Sequence, residues 1–218
     1  MKQPLIAAAL LAAAALPARA TLIDAPAAVG SALTVVDFEA FDGLLTSGPV
    51  TLAPGIVFTG DSRAELGAAS RDLGDNGLWT VIGNADRSGH FAAGGVAGEL
   101  RFTFTGALTS GAGAYVSLYT NAVLPFPLTL EVSAYGQNNQ IIETHNITFN
   151  AASGSFGYDE GLFVGITRGQ ADIRAIAFKG VGIVADNLTV SAVPEPQAYA
   201  LMLAGLGVLG LLARRRLG

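Results

Sequence analysis

The side chains able to do chemistry fall into three groups. Asp37 and Glu39 flank Phe38 early in the chain, and Asp186 stands beside Asn187 late in it. Successive side chains of a strand alternate, so a strand here puts both carboxylates on one face and Phe38 on the other. Close carboxylates repel unless a cation lies between them, and hard oxygen donors suit calcium. Alternatively, Asp186 caps a turn and Glu39 faces water. The second group lies in the long connection from Gly60 to Gly98 and centres on Trp79, Asn84, Asp86 and Arg87. Long connections on a rigid scaffold often carry binding residues, and an aromatic face beside amide, carboxylate and guanidinium groups suits a sugar. Trp79 fits a core strand, Leu78 to Ile82, equally well.

The third group holds the weak catalytic candidates. Asp159 and Glu160 could be half of a glycosidase pair, but sequence neighbours in a loop point apart and no partner is marked. His90 and His145 lie far apart and outside any metal-spacing motif. No Gly-x-Ser-x-Gly elbow or phosphate loop occurs. The absence of cysteine excludes thiol catalysis, zinc-thiolate and iron–sulfur sites. The expectation is a protein that is not an enzyme.

The elements that must position these groups read as strands. They are expected at Leu33 to Glu39, Ile56 to Thr59, Leu78 to Ile82, Glu99 to Thr105, Ala114 to Tyr119, Leu128 to Tyr135, Ile141 to Phe149, Leu162 to Thr167, Ile173 to Lys179 and Ile183 to Ser191. Leu100, Phe102 and Phe104 alternate with Arg101, Thr103 and Thr105, and Leu128, Leu130, Val132 and Ala134 alternate with polar neighbours, the pattern of half-buried antiparallel strands. Gly136-Gln137-Asn138-Asn139 reads as a hairpin turn, because glycine and asparagine accept positive φ. Only Ser62 to Ser70 has a helical composition. The fold class is all-β, an antiparallel two-sheet sandwich of jelly-roll type, with an immunoglobulin-like sandwich as the alternative.

Both ends differ from this body. Lys2, the apolar run Leu5 to Leu16 and Ala18-Arg19-Ala20 form an N-terminal signal peptide over residues 1–20, cut by signal peptidase after Ala20. Residues 21–192 form the sandwich domain. In 193–218, Val193-Pro194-Glu195-Pro196 ends the body, because the two prolines remove donors and favour extended backbone. A C-terminal hydrophobic helix follows from Ala198 to Ala213. At ~1.5 Å per residue it reaches ~24 Å, short of a ~30 Å bilayer core but workable with snorkelling. Arg214, Arg215 and Arg216 then favour the cytoplasmic side and leave the body outside. Five of the 12 basic residues lie in these ends and 16 of the 17 acidic ones in the body, whose formal net charge is −9. That balance argues against nucleic acid as a partner and is compatible with cations or neutral sugars.

Val193-Pro194-Glu195-Pro196, the tail beginning Ala198-Tyr199-Ala200-Leu201 with Gly205, Gly207 and Gly210, and the closing arginines resemble the PEP-CTERM sorting signal of Gram-negative bacteria. The resemblance implies an exosortase as processing partner, an inner-membrane-anchored precursor, and a mature form at the cell surface or in the extracellular matrix. A weaker resemblance rests on Leu128 to Gly136, Phe163 to Ile166, Ile173 to Phe178 and Asp186 to Val190, which are similar to carbohydrate-binding-module jelly rolls. In such modules the first and last strands lie side by side and an acidic residue from each helps hold a structural Ca2+. That implies Glu39 and Asp186 as ligands with Asp37 third. The expected function is association with exopolysaccharide in a biofilm or floc. The alternatives are a structural coat protein without a specific ligand and a glycan-acting hydrolase.

Overall fold

In the computed structural model the described residues are 20–31, 33–68, 90–95, 98–120, 128–149, 157–158 and 162–191. In chain order the strands are β1 (Ala20–Ile23), β2 (Leu33–Val36), β3 (Leu44–Leu45), β4 (Val50–Ala53), β5 (Ile56–Gly60), β6 (Glu65–Ala68), β7 (Phe91–Ala93), β8 (Gly98–Phe104), β9 (Gly111–Ser117), β10 (Tyr119–Thr120), β11 (Leu128–Tyr135), β12 (Ile141–Phe149), β13 (Gly157–Tyr158), β14 (Leu162–Arg168), β15 (Ala175–Gly180) and β16 (Val184–Ser191). A short 3-10 turn, Pro26–Val29, joins β1 to β2.

These strands form two antiparallel sheets and a two-stranded ribbon of β10 and β13. The first sheet runs β1-β14-β9-β16-β7-β6-β3, with β2 added beside β16, and the second runs β12-β11-β15-β8-β5-β4. The fold is therefore the expected all-β two-sheet sandwich. Side chains of both sheets meet between them: Phe58, Phe102 and Phe178 from the second sheet, with Val116, Ile166 and Leu188 from the first. The ring of Phe102 lies 5.7 Å from Phe58, 6.0 Å from Phe38 and 6.3 Å from Phe178, all in tilted or edge-on geometry. Such pairs add about 0.5–1.5 kcal/mol beyond the area they bury.

The second sheet follows the sequence pattern closely. Strands β11 and β12 have the expected bounds and are joined by the expected turn, in which Asn139 has φ 63° and its N–H donates to the Gly136 carbonyl. Burial alternates strictly along β8. The first sheet departs from the pattern. Strand β9 begins at Gly111, three residues before the expected Ala114, because Gly111-Ala112-Gly113-Ala114 carries no apolar–polar alternation. Its outward face is covered by the 3-10 turn. A Cβ at Gly111 would lie 2.5 Å from the Val29 carbonyl oxygen, and one at Gly113 would lie 2.7 Å from Phe163 Cζ and 2.8 Å from Gly165 Cα. Only glycine lets the crossing segment and the Phe163 ring sit this close to the sheet.

Two expectations need correction. The opening strand stops at Val36, not Glu39. Phe38 takes the left-handed conformation, φ 61°, and turns its ring into the core, leaving Asp37 and Glu39 exposed. Within Ser62 to Ser70 the residues from Glu65 to Ala68 are strand β6, all buried, so tertiary pairing with β7 overrides the helical composition. Gly67 there has φ 71°, and a Cβ would meet the Phe41 carbonyl carbon at 2.2 Å, which reserves the position for glycine.

Candidate functional site

Pairing around β16 decides where the carboxylates meet. Its C-terminal half pairs with β2, Leu188 opposite Val36, and its N-terminal end pairs with β7, Ala185 opposite Ala92. The two neighbours thus succeed each other along one side of β16, and the junction falls at Asp186 and Asn187. On the other side the register with β9 shifts between Asp186 and Thr189, where Asn187 adopts φ 51°. An asparagine accepts that conformation at low cost, so the bulge is encoded locally.

The expected opening strand is β2, the second strand of the described body, and it does lie beside the last strand, β16, while β1 pairs with β14. Asp37, Glu39 and Asp186 fall near the β2–β16 junction. Each carboxylate is already engaged by backbone donors. Asp186 is buried and accepts from the Asn187 N–H at 2.6 Å and from Asn187 Nδ2 at 3.1 Å. Asp37 accepts from the Glu39 N–H at 3.2 Å, and Glu39 Oε1 from the His90 N–H at 2.9 Å. That last bond ties the end of the segment before β7 to the turn after β2. His90 Nδ1 is buried and has no hydrogen-bond partner among the described residues. Among those residues no three His, Asp or Glu side chains gather closely enough to hold a metal ion.

Two polar clusters escaped the sequence reading. On the outer face of the second sheet, Arg101 of β8 reaches across β15 to place its guanidinium 3.9 Å from the Tyr135 ring centroid and to donate to Asn139 Oδ1. Ala175 and Ala177 between them are small enough to let it pass. Burial, and secondarily the Glu99 carboxylate, raise the Tyr135 hydroxyl above its ordinary value, while Arg101 pulls the other way. At the edge between the sheets, Glu143 of β12 lies 2.9 Å from His145 Nε2 and 3.7 Å from Arg168 Nη1 of β14. Arg168 Nε also donates to Asp172 at 2.6 Å. The Glu143–His145 spacing of two was a readable same-face signal, but nothing in the sequence linked it to Arg168.

The remaining candidates lie outside the described residues: Trp79, Asn84, Asp86 and Arg87 of the long connection, Asp159 and Glu160, residues 1–19, and the whole sorting segment with Val193, Pro194, Glu195, Pro196, Arg214, Arg215 and Arg216. Among the described residues no helix is long and apolar enough to cross a membrane. The described body ends in a firm anchor. Thr109 Oγ1 lies 2.8 Å from the Ser191 carbonyl oxygen and 2.7 Å from Ser191 Oγ, which Ser110 Oγ also approaches at 3.2 Å.

Fold and junction together define an antiparallel two-sheet β-sandwich whose central strand β16 leads directly into the C-terminal segment. Residues 192–216 match the PEP-CTERM protein-sorting motif, so the chain carries that motif immediately after the body's last strand. The motif marks an exported protein whose membrane-anchored precursor is processed by an exosortase into a surface form. No curated protein matches the chain. Among solved structures, one similar chain is the K1 cleaved adhesin domain of Lys-gingipain from Porphyromonas gingivalis W83, at 12% identity and a TM-score of 0.42, covering 75% of this chain and 100% of that one.

Proposed function

We propose that this is a non-enzymatic surface protein of a Gram-negative bacterium whose sandwich associates with exopolysaccharide in the extracellular matrix. The observation that carries the reading is the sorting motif at 192–216, which follows the last sandwich strand without an intervening domain. The acidic body, net −9, disfavours nucleic acid and anionic lipid as ligands and leaves neutral or cation-bridged polysaccharide. The long connection bearing Trp79, Asn84, Asp86 and Arg87 supplies the side-chain types of a sugar contact. Retention of the exported, tail-processed protein on the host's own polysaccharide, reduced at least tenfold in Trp79→Ala, is the expected result. No retention on any polysaccharide defeats the binding claim and leaves a coat protein without a ligand. Turnover of polysaccharide that disappears in Asp159→Asn or Glu160→Gln would establish a hydrolase instead.

Structural calcium is a second part of this reading. It rests on β2 lying beside β16. Asp37, Glu39 and Asp186 do not themselves gather into a metal cluster among the described residues, so a cation would have to draw them together. Because two or three carboxylates do not fill six to eight oxygen positions, backbone carbonyls or waters must complete the set. Chelator is expected to lower the melting temperature of the exported protein, and Asp186→Asn to remove that response. Equal melting with and without chelator rejects calcium.

A further inference from the structure

The sheet edges are not equally protected. On the first sheet β1 and β2 have four residues each and β3 has two. On the second, β4 also has four, follows Pro49 and is bulged between Thr51 and Ala53. Short strands, proline and bulges are the usual ways of blunting an edge. Strand β12 has none of them over most of its length. It is nine residues long, ends the second sheet, and among the described residues pairs with β11 alone. From Glu143 onward its register with β11 is unbroken.

An inward-pointing charge is a further device, but the one such charge on this strand is already paired within the chain. The one carboxylate, Glu143, is turned towards the first sheet, where it meets His145 and Arg168. Thr144, Asn146 and Thr148 are exposed on the opposite side. None carries a charge, and there is no lysine in the strand. Among the described residues the outer backbone donors and acceptors of β12 are unpaired, and such a row selects one kind of partner, another extended strand.

The side-chain order selects which strand. Read outward, Thr144-Asn146-Thr148 is the same in both directions. Laid antiparallel on a second copy with Asn146 at the two-fold axis, Thr144 meets Thr148 of the other copy and Asn146 meets Asn146. On the inner side His145 meets Ile147. No like charges oppose one another, and Thr–Thr and Asn–Asn pairs can add side-chain hydrogen bonds across the ladder. We propose that β12 is a self-association edge: two copies join β12 to β12, antiparallel about Asn146, and fuse their second sheets into one continuous sheet. A two-fold interface needs a self-complementary strip, and this strip is one. Confinement of precursors to a membrane plane raises the effective concentration of copies for such a contact.

The chain has no cysteine, so one introduced thiol reports one position. The full exported chain carrying Asn146→Cys is treated in membranes with a mild oxidant, alongside Val35→Cys on the exposed face of β2, 53% accessible. Asn146→Cys is expected to give a covalent dimer at least tenfold more abundant than Val35→Cys. Copies carrying Thr144→Cys mixed with copies carrying Thr148→Cys are expected to cross-link with each other more than either does alone, and adding Asn146→Lys to both should abolish it. No dimer at Asn146→Cys, equal dimer at Val35→Cys, or an adduct whose mass is not twice that of the chain overturns the proposal. Solubilised wild-type chain should sediment as a dimer and the Asn146→Lys variant, unchanged in melting temperature, as a monomer. Equal masses overturn it as well.

Discussion

The two sheets solve the same burial problem differently. The second sheet is half-buried: Leu130, Val132, Phe102 and Phe178 face the interior, while Glu131, Arg101 and Lys179 face water. The first sheet is buried on both faces along its middle strands, β14, β9, β16, β7 and β6, whereas its β1, β2 and β3 keep exposed residues. Its inner side chains join the shared core, and its outer side holds two further apolar clusters, Ala68, Phe91, Ala93 and Val184 in one and Ile23, Val29 and Phe163 in the other. Tyr115 packs against both. An antiparallel sheet usually keeps one wet face. Here the crossing 3-10 turn and the glycines beneath it remove that face from water along the middle strands, which therefore tolerate change on neither side.

This contrast can be broken by substitution. The largest effect calibrates the shared core: Phe102→Ala should cost about 3–5 kcal/mol in chemical denaturation, since its ring touches three others. Next, Gly165→Val on the outer side of the first sheet should cost about 1–3 kcal/mol or more, because a Cβ there would lie 2.6 Å from the Ala112 carbonyl oxygen and 2.8 Å from Gly113 Cα. Thr103→Val on the outer side of the second sheet should stay within about 0.5 kcal/mol. Equal costs at the two positions would remove the distinction. Thr109→Val should cost about 1–3 kcal/mol by stranding the buried Ser191 groups it contacts.

The smallest expected effect is a pH dependence confined to the wet face. Folding holds the Tyr135 hydroxyl above its ordinary value, so the folded state keeps a proton that the unfolded chain releases first. Its contribution is intact below about pH 10 and is lost as the pH rises further. Denaturation of Tyr135→Phe should show a shallower decline above that pH than the wild type, and parallel curves would refute the assignment.

The same contrast explains what the sequence made legible. Strands β8, β11 and β12 were readable because one face is wet, so polar and apolar residues alternate. Strand β6 and the start of β9, Gly111 to Gly113, were not, because Glu65-Leu66-Gly67-Ala68 and Gly111-Ala112-Gly113 are buried on both sides and carry no period of two. Strand β1 was missed for a related reason: Ala20-Thr21-Leu22-Ile23 is too short to alternate visibly and begins at the last residue of a segment read as a signal. The sorting segment was legible because its proline, apolar and arginine pieces act locally. The junction of Asp37, Glu39 and Asp186 was half legible. That the strands adjoin could be expected, but the left-handed turn at Phe38 and the bulge at Asn187 depend on contacts far away in the chain.

The exit of the chain through β16 has a mechanical consequence. The tail leaves from the end of a strand flanked by β9 on one side and by β2 and β7 on the other, with Ser191 clasped by Thr109 and Ser110. A pull on the tether runs along the strand, so the flanking ladders are loaded in shear together and cannot open one bond at a time. An envelope-tethered copy dragged by flow or by polymer should therefore yield at its attachment before its body unravels.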